Sequence, residues 1–123
     1  IHDNVTYIGS EAFYMYSRLS YFKILPKITT ISDSLFYQCT KLSKLEIHDD
    51  IESIGSDVFY CKSLLNFTIP PKVTVIKDHL FQRCYNIELI IVHDDILSIE
   101  RYAFYQCSSL QNFSIPPKVN VIY

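Results

Sequence analysis

The chain has 123 residues, 49% of them apolar, and its 11 basic and 13 acidic side chains leave a net charge of −2. At that length one domain is the expected count. The weak, interspersed charge argues against a nucleic-acid partner, which needs a basic patch, and no run approaches the ~20 apolar residues of a membrane span. Only two glycines occur and there is no low-complexity or Pro/Ser-rich linker, so residues 1–123 read as a single domain.

Taken in order, the chain is one segment repeated. Ile1-His2-Asp3-Asn4 is the tail of a preceding unit, matching segments begin at Val5, Ile28, Ile51, Val73 and Ile96, and Val119–Tyr123 is the head of a further one. The period is 23 residues, except for 22 in the segment from Ile51. A fixed period of this size, with L-x-x-L-x-L in each unit, is the signature of a leucine-rich-repeat solenoid. The expected fold is α/β: a right-handed solenoid of about five 23-residue repeats, with a parallel sheet on the concave face and short helices on the other. Neither end carries the atypical capping sequence expected of terminal repeats, so the chain reads as a fragment of a longer array flanked by repeats of the same kind.

Within each unit an opening Val or Ile is followed three residues later by Ile8, Ile31, Ile54, Ile76 or Ile99, and five further on by Phe13, Phe36, Phe59, Phe81 or Phe104. Ile31, Leu35 and Cys39 lie four apart, which predicts a short helix with those residues on one face. Ser10, Asp33, Ser56 and Asp78 stand where its N-cap would be; Arg101 takes the slot in the fifth unit, where a looser helix start is expected. Next comes Leu42-x-x-Leu45-x-Ile47, with counterparts Leu19/Phe22/Ile24, Leu64/Phe67/Ile69, Ile87/Ile90/Val92 and Leu110/Phe113/Ile115. Its last part alternates as a half-buried strand does, and one strand per turn stacks into a parallel sheet with ~4.8 Å between strands. Phe22, Phe67 and Phe113 take turns with Leu45 and Ile90, which suits an interdigitated core.

The turn after the strand alternates as well. It is Leu-Pro-Lys or Pro-Pro-Lys at 25–27, 70–72 and 116–118, and His-Asp-Asp at 48–50 and 93–95, so the larger unit is a 46-residue pair. Lys27, Asp50, Lys72, Asp95 and Lys118 then predict a ladder of alternating charge. A slip by one repeat would set like against like.

Leu110-Gln-Asn-Phe113-Ser-Ile115-Pro116-Pro-Lys-Val119-Asn-Val-Ile122, together with Ala103-Phe104-Tyr-Gln-Cys107, resembles the BspA-like class of leucine-rich repeats. The resemblance covers the whole chain. It implies a surface protein of the kind found in bacteria and parasitic protists, with adhesion to host matrix proteins as its role, and it brings no catalytic residues. Departures from the pattern are the His-Asp-Asp turns, Tyr16 in place of the first cysteine, and a residue missing between Phe59 and Leu64.

Several groups invite a chemical reading. Cys39, Cys61, Cys84 and Cys107 come one per unit, whereas zinc would want paired C-x-x-C spacings. Neighbours stacked with parallel side chains bridge poorly, so they read as buried, reduced thiols. His48-Asp49-Asp50 and His93-Asp94-Asp95 combine imidazole with carboxylate, but lie two turns apart, roughly 10 Å at the sheet spacing, and read as solvated turns. His79 stands alone. Tyr14, Tyr37, Tyr60 and Tyr105 form a row interrupted by Gln82, either mutually packed or a lateral contact. Asn4-Val-Thr6, Asn66-Phe-Thr68 and Asn112-Phe-Ser114 are candidate glycosylation acceptors.

No catalytic, cofactor or metal site is expected. The reading is a non-catalytic protein-binding module of a cell-surface or secreted adhesin; the alternative is a structural scaffold packing laterally in a larger intracellular, cytoplasmic assembly. The expected binding face is the concave sheet. Its outward residues include Tyr21, Lys23, Lys44 and Glu46, and its apolar members Leu65, Leu89 and Ile91 form the kind of patch that marks an interaction site.

Overall fold

A computed structural model describes residues 3–123 of the chain. The three central repeats contribute two short strands each, and the first, the fifth and the partial sixth contribute one each. The three-residue strands are β1 (Tyr21–Lys23), β3 (Lys44–Glu46), β5 (Asn66–Thr68) and β7 (Leu89–Ile91). The two-residue strands are β2 (Thr30–Ile31), β4 (Ser53–Ile54), β6 (Val75–Ile76), β8 (Ser98–Ile99) and β9 (Val121–Ile122). All pairings are parallel between equivalent positions, such as Phe22 with Leu45, Phe67 with Ile90 and Ile31 with Ile54. This is the parallel-sheet solenoid expected of leucine-rich repeats. It makes about four complete turns, from β1/β2 to β7/β8. The fifth repeat is incomplete because the chain at 111–114 does not extend: Asn112 sits at φ 52°.

The expected helices do not form among the described residues. In four of the five repeats the segment is instead a pair of tight turns, and the unit from Ile51 keeps only the first. In one repeat the Leu35 N–H bonds to Ser32 O and the Cys39 N–H to Phe36 O. The third residue of each turn, Ser34 and Gln38, has φ 55° and 57°, as in a type II turn. The same left-handed slots hold Glu11 and Met15, His79 and Arg83, and Tyr102 and Gln106. A left-handed residue at the third position of each turn is incompatible with a right-handed helix, and each costs roughly 1–2 kcal/mol. The compensation is lateral, because the freed amides bond to the next winding. Phe13 donates to Leu35 O, Phe36 to Val58 O, Phe59 to Leu80 O and Phe81 to Ala103 O. Asp33 and Asp78 do accept a backbone N–H, but from Ser56 and Arg101 one winding on, not as caps of their own segment. The looser helix start at Arg101 is therefore replaced by the same turn as elsewhere.

The Ile31, Leu35 and Cys39 side chains point inward as the spacing requires, and all three are buried. The five phenylalanines stack ring on ring, with centroids 5.8, 6.2, 5.5 and 6.0 Å apart. Phe22 packs tilted against Phe13 and Phe36, and Phe67 against Phe59 and Phe81. The alternation of Phe with Leu45 and Ile90 thus wedges a ring into every second step of the spine. Burial of this apolar column is the main source of stability.

The 22-residue unit loses a particular residue. Tyr60 runs directly into Cys61, so the second left-handed position (Gln38, Arg83 and Gln106 elsewhere) is the one deleted. Across that winding neither strand ladder pairs: β3 does not join β5, and β4 does not join β6. No Cα of β3 comes within 8 Å of one in β5.

Candidate binding surfaces

On the face of the three-residue strands, outward residues fall into two groups. Tyr21 and Lys44 are register partners on β1 and β3, with the ammonium 5.7 Å from the ring centroid. Lys44 also lies 3.5 Å from Glu46, which is the partner of Lys23. On the second strand pair, Leu89 and Ile91 alternate with the buried Ile90 and are 48% and 49% exposed. Leu65, 52% exposed, precedes β5, and its carbonyl accepts from Glu88 and Leu89. The unpaired junction between β3 and β5 separates the aromatic–charged group from the apolar one.

The His-Asp-Asp turns are more structured than their composition suggests. His48 Nε2 lies 3.0 Å from Leu25 O in the preceding winding, and His48 Nδ1 accepts the Asp50 N–H at 3.3 Å. His93 makes the same pair of bonds, to Pro70 O and from Asp95 N–H. A carbonyl can only accept and an N–H only donate, so in each ring Nε2 serves as the donor and Nδ1 as the acceptor. With both nitrogens committed to backbone, neither ring has a lone pair left for a metal. No group of three or more His, Cys, Asp or Glu arranged for metal binding occurs among the described residues.

The charge ladder closes only in part. Lys72 bonds Asp50 at 2.9 Å and Lys118 bonds Asp95, whereas Lys27 turns to Asn4. Hydrogen bonding from Lys72, reinforced by its charge, holds Asp50 below the usual carboxylate range, and Lys118 does the same to Asp95. No ion pair joins Lys27 to Asp50 or Lys72 to Asp95 among the described residues. Charged partners therefore meet at every second step.

The cysteines are unpaired, and Cys39, Cys61 and Cys84 are buried. Each thiol points at the phenylalanine carbonyl of the preceding winding: Cys39 at Phe13 O (3.1 Å), Cys61 at Phe36 O (3.4 Å), Cys84 at Phe59 O and Cys107 at Phe81 O. Burial pushes Cys39 and Cys107 up to about 11 and Cys84 up to about 12, and raises Cys61 well above the ordinary thiol value. Thiols held neutral in this way neither attack nor ligate.

On the turn side the tyrosine row is real and mutually packed. Tyr14 stacks on Tyr37 at 5.1 Å, and Tyr37 meets Tyr60 at 5.3 Å. Arg83 then lies over the Tyr60 ring, bonds its hydroxyl and reaches Gln106. Beyond Gln82 the row stops, and a cleft of about 360 Å³ opens, lined by His79, Gln82, Tyr102 and Tyr105. His79, which stands alone in the sequence, packs on Tyr102 at 5.3 Å. The interruption of the tyrosine row at Gln82 was the one sequence signal for this cleft.

Of the three sequons, Asn66 and Thr68 lie exposed on β5, with Asn66 opposite Leu89. Asn112 is exposed at its left-handed turn, and Asn4 is exposed.

Residues 1–111 match the model of the BspA type leucine rich repeat region, in six copies. The chain belongs to this family. A leucine-rich cell surface protein of Faecalibacterium prausnitzii is 34% identical, with a TM-score of 0.89 over 98% of this chain. A leucine-rich repeat protein of Bacteroides ovatus, 24% identical, superposes with a TM-score of 0.80 over 99% of the chain. The BspA-type chain spans 33% and 38% of the lengths of those two structures. No curated protein matches it.

Proposed function

We propose that this BspA-type segment is a non-catalytic protein-binding module of a cell-surface adhesin, and that its partner docks on the face of the three-residue strands. The observation that carries the reading is the exposure of Leu65, Leu89 and Ile91, each about half accessible, just before β5 and on outward positions of β7. Exposed apolar side chains that cluster, flanked by polar residues, are what an interface core requires. Tyr21, Lys23, Lys44 and Glu46 supply the rim: an aromatic surface with a cation over it, and charges of both signs. The resemblance to a cell surface protein of F. prausnitzii supports the location.

The test is binding of the full-length protein to immobilised fibronectin, fibrinogen, collagen and laminin, before and after Leu89→Asp. Loss of binding with unchanged thermal unfolding supports the reading; unchanged binding removes this face from consideration. Glycan occupancy at Asn66 in protein from its native source is an independent check. A glycan there would stand beside Leu89 and shield the patch, so full occupancy contradicts the proposal.

A further inference from the structure

The turn side carries a second surface whose chemistry differs from that of the strand face. From Tyr14 to Tyr60 each tyrosine of the row is covered by the next, and Arg83 caps the last. The slot after Tyr60 belongs to Gln82, so one ring is missing from the row, and Tyr105 is left 44% exposed. Tyr105 leans edge-on against Tyr102 at 5.5 Å, and Tyr102 packs on His79. The vacancy is the 360 Å³ cleft, inside the size range of small-molecule sites. A second cleft shares His79 and Tyr102 and adds Asp78, Glu100, Arg101 and Tyr123.

The lining decides what fits. Charges of both signs sit at the rim, which disfavours a strongly charged ligand of either sign. No aliphatic side chain lines either cleft, which disfavours a lipid. What remains is a ring-shaped, uncharged group with many hydroxyls. Its C–H face would rest on the electron-rich faces of Tyr102 and Tyr105. Asp78 Oδ1 already accepts the Arg101 N–H and Glu100 Oε2 the Asp78 N–H. The group's hydroxyls would therefore donate to the other oxygens of these carboxylates and to the Gln82 carbonyl, and accept from the Arg101 side chain and the Gln82 amide. We propose that the gap opened by Gln82 in the tyrosine row is a subsite for one pyranose ring of a neutral oligosaccharide, extending along the adjoining cleft. A partner's aromatic side chain would fill the slot but leave most of these polar groups unused.

The experiment titrates the protein with cellohexaose, maltohexaose and chitohexaose, followed by calorimetry and by NMR shifts of the Tyr102 and Tyr105 rings. The N-acetylated chain stands for glycoprotein-type sugars and the two glucans for free polysaccharide. At least one should bind and shift both rings. Gln82→Tyr refills the row and should weaken binding at least about tenfold without lowering the unfolding temperature, and Tyr105→Ala should weaken it similarly. Leu89→Asp should leave it unchanged. The proposal is overturned if no hexasaccharide binds at millimolar concentration, if Gln82→Tyr binds as well as the parent, or if N-acetyl-tyrosinamide displaces the sugar and binds more tightly.

Discussion

On the turn side every junction between windings is closed by the same backbone bonds, whereas on the side of the three-residue strands the β3–β5 junction carries no ladder bonds and the one beyond β7 keeps only the Gln111 N–H to Glu88 O bond among the described residues. Glu11 and Phe13, Ser34 and Phe36, Asp57 and Phe59, and His79 and Phe81 all donate to the next winding. Against that, Ile24 donates to Glu46 O and Ile69 to Ile91 O, but among the described residues no backbone carbonyl accepts from the equivalent amides of Ile47 and Val92. The turn side keeps a period of one repeat and the strand side a period of two. The difference follows composition. The Phe slot is invariant, while the strand slot alternates Phe with Leu or Ile and its following turn alternates Pro with His. A solenoid can thus hold a fixed pitch on one edge while its other edge groups strands in pairs.

The largest break in that comparison should come from the spine. Phe59→Ala in the central winding is expected to cost ~3–5 kcal/mol, measured by urea unfolding; a loss below about 1 kcal/mol would mean the continuous edge does not depend on stacked rings. A smaller effect tests the close approach of the turns. A Cβ on Gly55 would lie 2.6 Å from the Asp33 backbone N, while one on Gly9 meets only Tyr7 at 3.9 Å. Gly55→Ala should therefore cost about 1–3 kcal/mol and Gly9→Ala almost nothing; equal effects would show that the turn side tolerates shifts.

The thiols give a pH-dependent probe of the same edge. Their folded pKa values, about 11 for Cys39 and about 12 for Cys84, lie above the unfolded value of ~8.5. The unfolded chain therefore ionises first as pH rises. Stability from these groups is complete below about pH 8.5 and falls as pH climbs toward the folded values. Urea midpoints should drop between pH 8 and 11, and Cys84→Ala should flatten that slope. A more local change is expected from inserting Gln between Tyr60 and Cys61. It restores the 23-residue winding and should protect the Thr74 and Lys77 amides, which donate to no backbone carbonyl among the described residues, while leaving Ile47 and Val92 open.

Much of this was legible in the sequence. Fixed slots announced the Phe spine, the inward cysteines, the strand positions and the 46-residue pairing. The spacing does not distinguish helix from turns, because residues four apart put Ile31, Leu35 and Cys39 on one side of either a helix or two consecutive type II turns. Glycine would have signalled the left-handed positions, but Ser34, Gln38, His79 and Arg83 occupy them. The missing residue near Phe59 was visible; that it removes a left-handed residue, and that both strand ladders part there, needed three dimensions. The outward residues of the strand face were placed by alternation alone. The cleft at Gln82 depends on contacts between residues a full repeat apart.

Amide hydrogen exchange at four equivalent positions tests the two-period account most directly. Ile24 and Ile69 should exchange slowly, Ile47 and Val92 at least about tenfold faster, and Phe36, Phe59 and Phe81 slowest of all. Equal protection at Ile24, Ile47, Ile69 and Val92 would contradict the account, because it would mean that the strand side pairs at every winding as the turn side does.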